Sequence, residues 1–124
     1  FFASIDLLVM PSAYECFGMA AAEALAAGVP VLVSPQTGIA DLVEAYGCGF
    51  VAEPTIDGLR RELSSLLERP PRLRGAADRA GVAVASELSF TAHGERLRQE
   101  YATLVDAQRG IHAQERPLTA GGIR

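Results

Sequence analysis

Apolar residues in this chain gather first in short unbroken runs and later at helical spacing, and the change falls near Thr55. Ile5 to Met10 is apolar except for Asp6 and is closed by Pro11-Ser12, the pattern of a buried parallel strand. Gly18 to Ala27 is Ala-rich, carries Glu23 and Leu25, and runs into Gly28, so it predicts a helix with a glycine stop. A second strand is predicted over Val29 to Val33, where Pro30 sits near the first residue and its missing N–H is tolerated. Ile39 to Tyr46 reads as a short helix stopped by Gly47, and Phe50-Val51-Ala52 as a third strand closed by Pro54. Strands alternating with helices in this order predict βαβ units, which are right-handed and set their helices on the faces of a parallel sheet.

Beyond Thr55 the period is helical alone. Ile56, Leu59, Leu63, Leu66 and Leu67 mark one face of an amphipathic helix, with Thr55 as its N-cap and Pro70-Pro71 as its stop. A second helix is predicted from about Pro71 to Glu87, and a third from about Phe90 to Gln108 with Leu97, Tyr101, Leu104 and Val105 on one side. From Gly110 the chain is polar and carries Pro117 and Gly121-Gly122, so residues 110–124 are expected to form a loose tail outside a domain of residues 1–109.

Composition narrows the class. A chain of 124 residues that is 49% apolar and 21% charged can bury a core and fits a single domain. No apolar run is long enough for a membrane-spanning helix, and the chain opens on Phe1-Phe2-Ala3 with no basic leader and no Met. The expectation is a piece of a longer protein. All eleven basic residues are Arg and the net charge is −4, which disfavours nucleic acid, where affinity comes mostly from neutralising phosphates. Cys16 and Cys48 lie far apart without metal-type spacing and are expected as reduced, partly buried thiols of a cytoplasmic protein.

Candidate chemistry concentrates between Pro11 and Pro35. A loop at the carboxyl end of a parallel strand leads there into a helix, and in open α/β sheets that crevice is where ligands bind. The amides near Gly18, Met19 and Ala20 would have no intrahelical partner, and the helix dipole favours an anion beside them. Gly18 is expected to leave room where a diphosphate approaches the backbone. Glu23, about one turn into the helix, could accept from two vicinal hydroxyls, and Glu15 on the loop could reach a second polyol. A carboxylate in so apolar a helix must point outward or find a partner, and spacing does not decide which.

Glu15-Cys16-Phe17-Gly18, with Glu23 eight positions after Glu15 and Ala26-Ala27-Gly28-Val29-Pro30-Val31 beyond, resembles the E-x7-E region of retaining nucleotide-sugar glycosyltransferases. The family is family 4, the glycosyl transferases group 1 type. The resemblance takes in Asp6-Leu7-Leu8-Val9-Met10-Pro11-Ser12 upstream. Downstream it takes in Gly38-Ile39-Ala40-Asp41-Leu42-Val43 and Gly47-Cys48-Gly49-Phe50-Val51-Ala52-Glu53-Pro54, and it covers roughly residues 3 to 105.

What it implies is a GT-B fold, two Rossmann-like domains facing each other across a cleft. This chain would be the C-terminal, donor-binding part: a partial three-stranded Rossmann-like sheet followed by three helices, with the N-terminal acceptor domain outside it. The resemblance assigns Glu15 to the transferred sugar as the catalytic position and Glu23 to the donor's ribose hydroxyls. Backbone amides of Phe17, Gly18 and Met19 would contact the sugar and diphosphate. It implies transfer with retained anomeric configuration, no metal and no cofactor, the nucleotide-diphosphate sugar being the substrate. The acceptor would be a sugar, a lipid or a small molecule, with no nucleic acid and no membrane span. A place at the inner membrane face stays open for the full-length protein.

The chain departs from the family's pattern at several places. Cys16 stands where many relatives carry Gly, Ala27 where many carry Cys or Ser, Thr37-Gly38 replaces Gly-Gly, and Asp41 replaces Glu. The family's basic pair on the diphosphate falls upstream, and no Arg precedes Arg60. The isolated chain is therefore expected to hold half a donor site and to be inactive. Two alternatives remain at this point, a GT-B-fold nucleotide-sugar epimerase and a non-catalytic α/β interaction module. His93 and His112 are expected at the surface, Ser12 lacks a nucleophile-elbow frame, and Met10 reads as packing.

Overall fold

The computed structural model describes residues 1–114, with side chains through residue 108. It divides into two units, residues 1–89 and the segment from Phe90 onward. The first unit opens with a 3-10 turn, Phe2–Ser4, and continues as β1 (Leu8–Met10), α1 (Met19–Ala26), β2 (Val31–Val33), α2 (Ala40–Tyr46) and β3 (Gly49–Val51). Two helices follow, α3 (Ile56–Glu68) and α4 (Pro70–Ala83), and a π-helical turn, Val84–Leu88, ends the unit.

All three strands run parallel in the order β1-β2-β3, with Leu8 opposite Val31 and Val31 opposite Gly49. The strands are shorter than the apolar runs suggest, because Ile5–Leu7 and Val29-Pro30 are approach segments that make no full ladder. Side-chain alternation splits β2 between two faces. Val31 and Val33 join a core with Ala21, Ala24, Leu25, Ile39 and Val43, supplied by α1, α2 and the turn before α2. Leu32 is fully buried on the other face, in register with Val9 and Phe50.

The small residues of α4 complete that core. Ala80 and Ala83 pack into it, and Tyr46 on α2 donates a hydrogen bond of 2.6 Å to Glu87 in the π-helical turn. Arg72 ties α4 to α3 through Glu62 at 2.8 Å and Ser65 at 2.7 Å, and its guanidinium lies 4.9 Å from the centre of the Phe50 ring. Thr55 caps α3 as its sequence suggests, accepting from the Gly58 N–H at 3.1 Å.

Two expectations change here. Of the apolar stripe on α3 only Leu66 is fully buried, while Ile56 and Leu67 are largely exposed. The stripe packs in part against α4, and Leu63, Leu66 and Leu67 border an apolar cavity of about 530 Å³ shared with Ile5, Leu7 and Leu73. The last helix, α5 (Phe90–Gln114), runs past Gly110, where a loose tail was expected to begin. One glycine in a long helix costs only about 1 kcal/mol, which neighbouring turns absorb. The rest of the expected tail, residues 115–124, lies outside the described residues.

Candidate functional site

The carboxyl ends of β1 and β2 open into two loops, Pro11–Gly18 and Ser34–Ile39, which are joined as a continuation of the sheet. The Glu15 N–H donates to the Gln36 carbonyl at 3.2 Å, and the Gly38 N–H donates to the Glu15 carbonyl at 3.1 Å, a parallel bridge between Glu15 and Thr37. Between the loops lies a shallow cavity of about 270 Å³ lined by Tyr14, Glu15, Cys16, Gln36, Thr37 and Asp41, among others. The larger cavity sits at the amino ends of the strands and is lined mostly by aliphatic groups. In this type of sheet ligands bind at the carboxyl ends, so the smaller cavity is the candidate site.

Glu15 is half-buried at this cavity, and Tyr14 stands mostly exposed beside it. Gly18 precedes α1 with φ 99° and ψ 56°, left-handed backbone that other residues enter at a cost. The first rung of α1 is the Ala22 N–H on the Gly18 carbonyl at 3.0 Å, so the amides of Met19, Ala20 and Ala21 stand ahead of the ladder. No side chain caps this end. The positive end of the helix is therefore left to whatever binds in front of it.

The reason for Gly18 differs from the one its sequence suggests. A Cβ there would point into the protein, 3.0 Å from the Met10 Cε and the Thr37 Cγ2 and 3.3 Å from the Ile39 Cγ2. Backbone conformation and packing against the second loop require the glycine, and space for a ligand does not. Glu23 resolves the other way: it is exposed, on the same side of α1 as Met19 four residues earlier, while Ala21, Ala24 and Leu25 take the core side. Phe17 is about one-third exposed. The structure thus brings Glu15 to the cavity and leaves Met19 and Glu23 on the open face of α1, outside its lining.

Sequence reasoning missed the residues that join the two loops. Ser34 and Thr37 are the buried polar residues among those described. Ser34 Oγ donates to the Ser12 carbonyl, and Thr37 Oγ1 lies 3.1 Å from Ser34 Oγ. A serine after a buried strand carries no local signal of this kind. Asp41, read from the sequence as a departure, lines the cavity opposite Glu15's loop.

No group of three or more His, Cys, Asp or Glu residues placed to hold a metal occurs among the described residues. No helix among them is long and apolar enough to cross a membrane. Both cysteines are free thiols, and Cys16 is exposed, against the expectation of partial burial, because it faces the cavity mouth. Cys48 is buried, and that burial pushes its thiol pKa up, offset in part by its backbone hydrogen bond and by Arg79.

Residues 1–81 match the family model described as glycosyl transferases group 1. Over 97 residues, 77% of the chain, the sequence is 37% identical to a D-inositol 3-phosphate glycosyltransferase of Segniliparus rotundus, and it spans 21% of that protein. Among solved structures, sucrose-phosphate synthase from Thermosynechococcus elongatus superposes with a TM-score of 0.71 at 27% identity, over 86% of this chain and 27% of that one. The C-terminal domain of a glycosyl transferase group 1 family protein from Francisella tularensis gives a TM-score of 0.64 at 20% identity, a likeness of fold alone, over 72% of this chain and 46% of that domain. These neighbours are GT-B glycosyltransferases, and the α/β arrangement here is a portion of that fold. The chain spans about a fifth of the length of the curated relatives it matches. With the match running from Phe1 through most of α4, the chain belongs to the glycosyl transferases group 1 family.

Proposed function

We propose that this chain is donor-binding sequence of a configuration-retaining glycosyltransferase that takes a sugar from a nucleotide-diphosphate donor. The observation that carries the reading is that Glu15 lines the cavity at the carboxyl ends of β1 and β2, on the loop that runs through Gly18 into the uncapped amino end of α1. A departing diphosphate gains negative charge in the transition state, and fixed amide dipoles aimed at that charge lower its energy. Met19 and its neighbours supply such amides through the backbone, as do Phe17 and Gly18. Glu15 contacts the transferred sugar from the loop, and Glu23 accepts from the ribose hydroxyls on the exposed face of α1.

Glu15 and Asp41 are the charged side chains among the lining residues of the cavity, and both are acidic. The basic groups that balance a diphosphate come, in this reading, from sequence outside this chain, together with the acceptor domain. No metal or cofactor takes part. The placement that goes with this reading is cytoplasmic, and the two free cysteines are in keeping with it.

The test is calorimetric titration of the protein as its gene encodes it with UDP, GDP and ADP. One of the three should bind, and the matching nucleotide sugar should compete with it. Absence of binding by all three contradicts the proposal.

A further inference from the structure

We propose that Thr37, with Ser34, is a latch that positions the donor loop, a deeper reading of the site that rests on the proposal above. Ser34 is fully buried and Thr37 is 3% exposed, so the pair is shielded from competing water. A hydroxyl carries one proton, and that of Ser34 is committed to the Ser12 carbonyl on the first loop. The 3.1 Å contact between the two hydroxyls must then use the proton of Thr37, which donates to Ser34 Oγ. The chain of donation runs from Thr37 to Ser34 to the first loop, and each bond orients the next.

Thr37 also works through its other branch. Its Cγ2 stands 3.0 Å from the point where a Cβ of Gly18 would lie, so it backs the residue that sets the amino end of α1. Its backbone sits between the two rungs that hold Glu15, the Gln36 carbonyl receiving the Glu15 N–H and the Gly38 N–H reaching the Glu15 carbonyl. Thr37 thereby packs on Gly18 directly and reaches Ser12 through Ser34. Glu15 and the α1 amides are assigned different parts of the donor, and the latch holds them in one register. Thr37 is a positioning residue, since it acts through Glu15 and Gly18.

The experiment is hydrogen exchange of the ligand-free protein, as its gene encodes it, followed at the Glu15 and Gly38 amides. Thr37→Val keeps the shape and removes the donated proton. It should speed exchange at both amides by roughly three- to tenfold, the loss expected for one hydrogen bond. The Ala52 amide, bonded to the Val33 carbonyl on the β3 side, serves as the reference and should stay unchanged. Thr37→Ser restores the proton and should return exchange at both amides to within about twofold of wild type, while Ser34→Ala, which frees Ser12, should behave as Thr37→Val. Affinity for whichever of UDP, GDP and ADP binds should fall with Thr37→Val by a similar factor and recover with Thr37→Ser.

Unchanged exchange in Thr37→Val overturns the latch. Equal acceleration at Ala52 overturns it too, because the hydroxyl would then serve the whole fold. Local acceleration with unaltered diphosphate affinity overturns the positioning role. A wild type that binds none of the three nucleotides sinks the donor reading instead, and the two failures are told apart because the exchange is read without ligand.

Discussion

Gly38 lies so close to Cys16 that a Cβ on it would stand 2.2 Å from the Cys16 carbonyl oxygen and 3.1 Å from the Phe17 Cα. Both obstacles are backbone, so neither can swing aside as a side chain would. The glycine is what lets the second loop lie flat against the first. Gly38→Ala should separate the loops and destabilise the fold by about 1–3 kcal/mol, the usual range for forced overpacking. Urea unfolding should show a lower midpoint with an unaltered slope, and binding of nucleoside diphosphate should weaken as well. An unchanged midpoint would mean that the loops are not in contact.

The two thiols should differ sharply in reactivity. Cys16 is exposed at the cavity mouth and Cys48 is buried with its thiol pKa raised, so a thiol reagent at neutral pH should modify Cys16 alone in the native protein. Cys48 should react only after unfolding. Because Cys16 lines the candidate site, bound nucleoside diphosphate should slow its modification. Two equally fast thiols would contradict the packing of Cys48 between α2 and β3.

Cys48 also sets a pH dependence. Its folded pKa lies above its unfolded one, so the unfolded chain loses the proton first as pH rises. The stabilising contribution is complete below the ordinary thiol value of about 8.5 and declines from there towards the raised folded value. Cys48→Ala should flatten that part of the stability profile, measured by urea unfolding between neutral and alkaline pH. A slope that persists in the variant would assign it to other groups.

The reading without metal makes its own prediction. The donor site proposed here neutralises the diphosphate with backbone amides and with basic groups, so sugar transfer by the protein as its gene encodes it should survive an excess of chelator. Activity that disappears with chelator and returns only with Mn²⁺ or Mg²⁺ would require a different account of the leaving group.

Much of the fold is legible because its signals are local. The runs around Val9, Leu32 and Phe50 are short, apolar and bounded by turn residues, and they form the three parallel strands. Thr55 followed by an amphipathic stretch named both a helix and its cap. What the sequence hides is set by tertiary contact. Nothing local says that Ile56 and Leu67 stay exposed while Leu66 is buried, since that depends on which neighbouring elements α3 meets. Thr37 reads in sequence only as a departure from a family pattern, yet its hydroxyl meets Ser34 and its methyl packs at Gly18 on the first loop. Glu15 and Gly18 could be singled out because they lie between a strand and the helix that follows it. The hydrogen bond between Ser34 and the Ser12 carbonyl joins residues 22 apart in the chain and is visible only in the fold.

The division of labour between Glu15 and Glu23 is the central claim, and one comparison tests it most directly. Hydrogen bonds to a charged group contribute roughly 1.5–3 kcal/mol. If Glu23 grips the ribose, Glu23→Ala should weaken nucleoside diphosphate binding about ten- to a hundredfold. Glu15→Ala should leave that affinity nearly unchanged and lower kcat/KM for the intact sugar donor, because it removes a contact to the transferred group. Calorimetric titration of both variants of the protein as its gene encodes it, beside steady-state rates, measures the difference. The account predicts a large loss of diphosphate affinity for Glu23→Ala and none for Glu15→Ala; equal losses in both, or no loss in either, would contradict it.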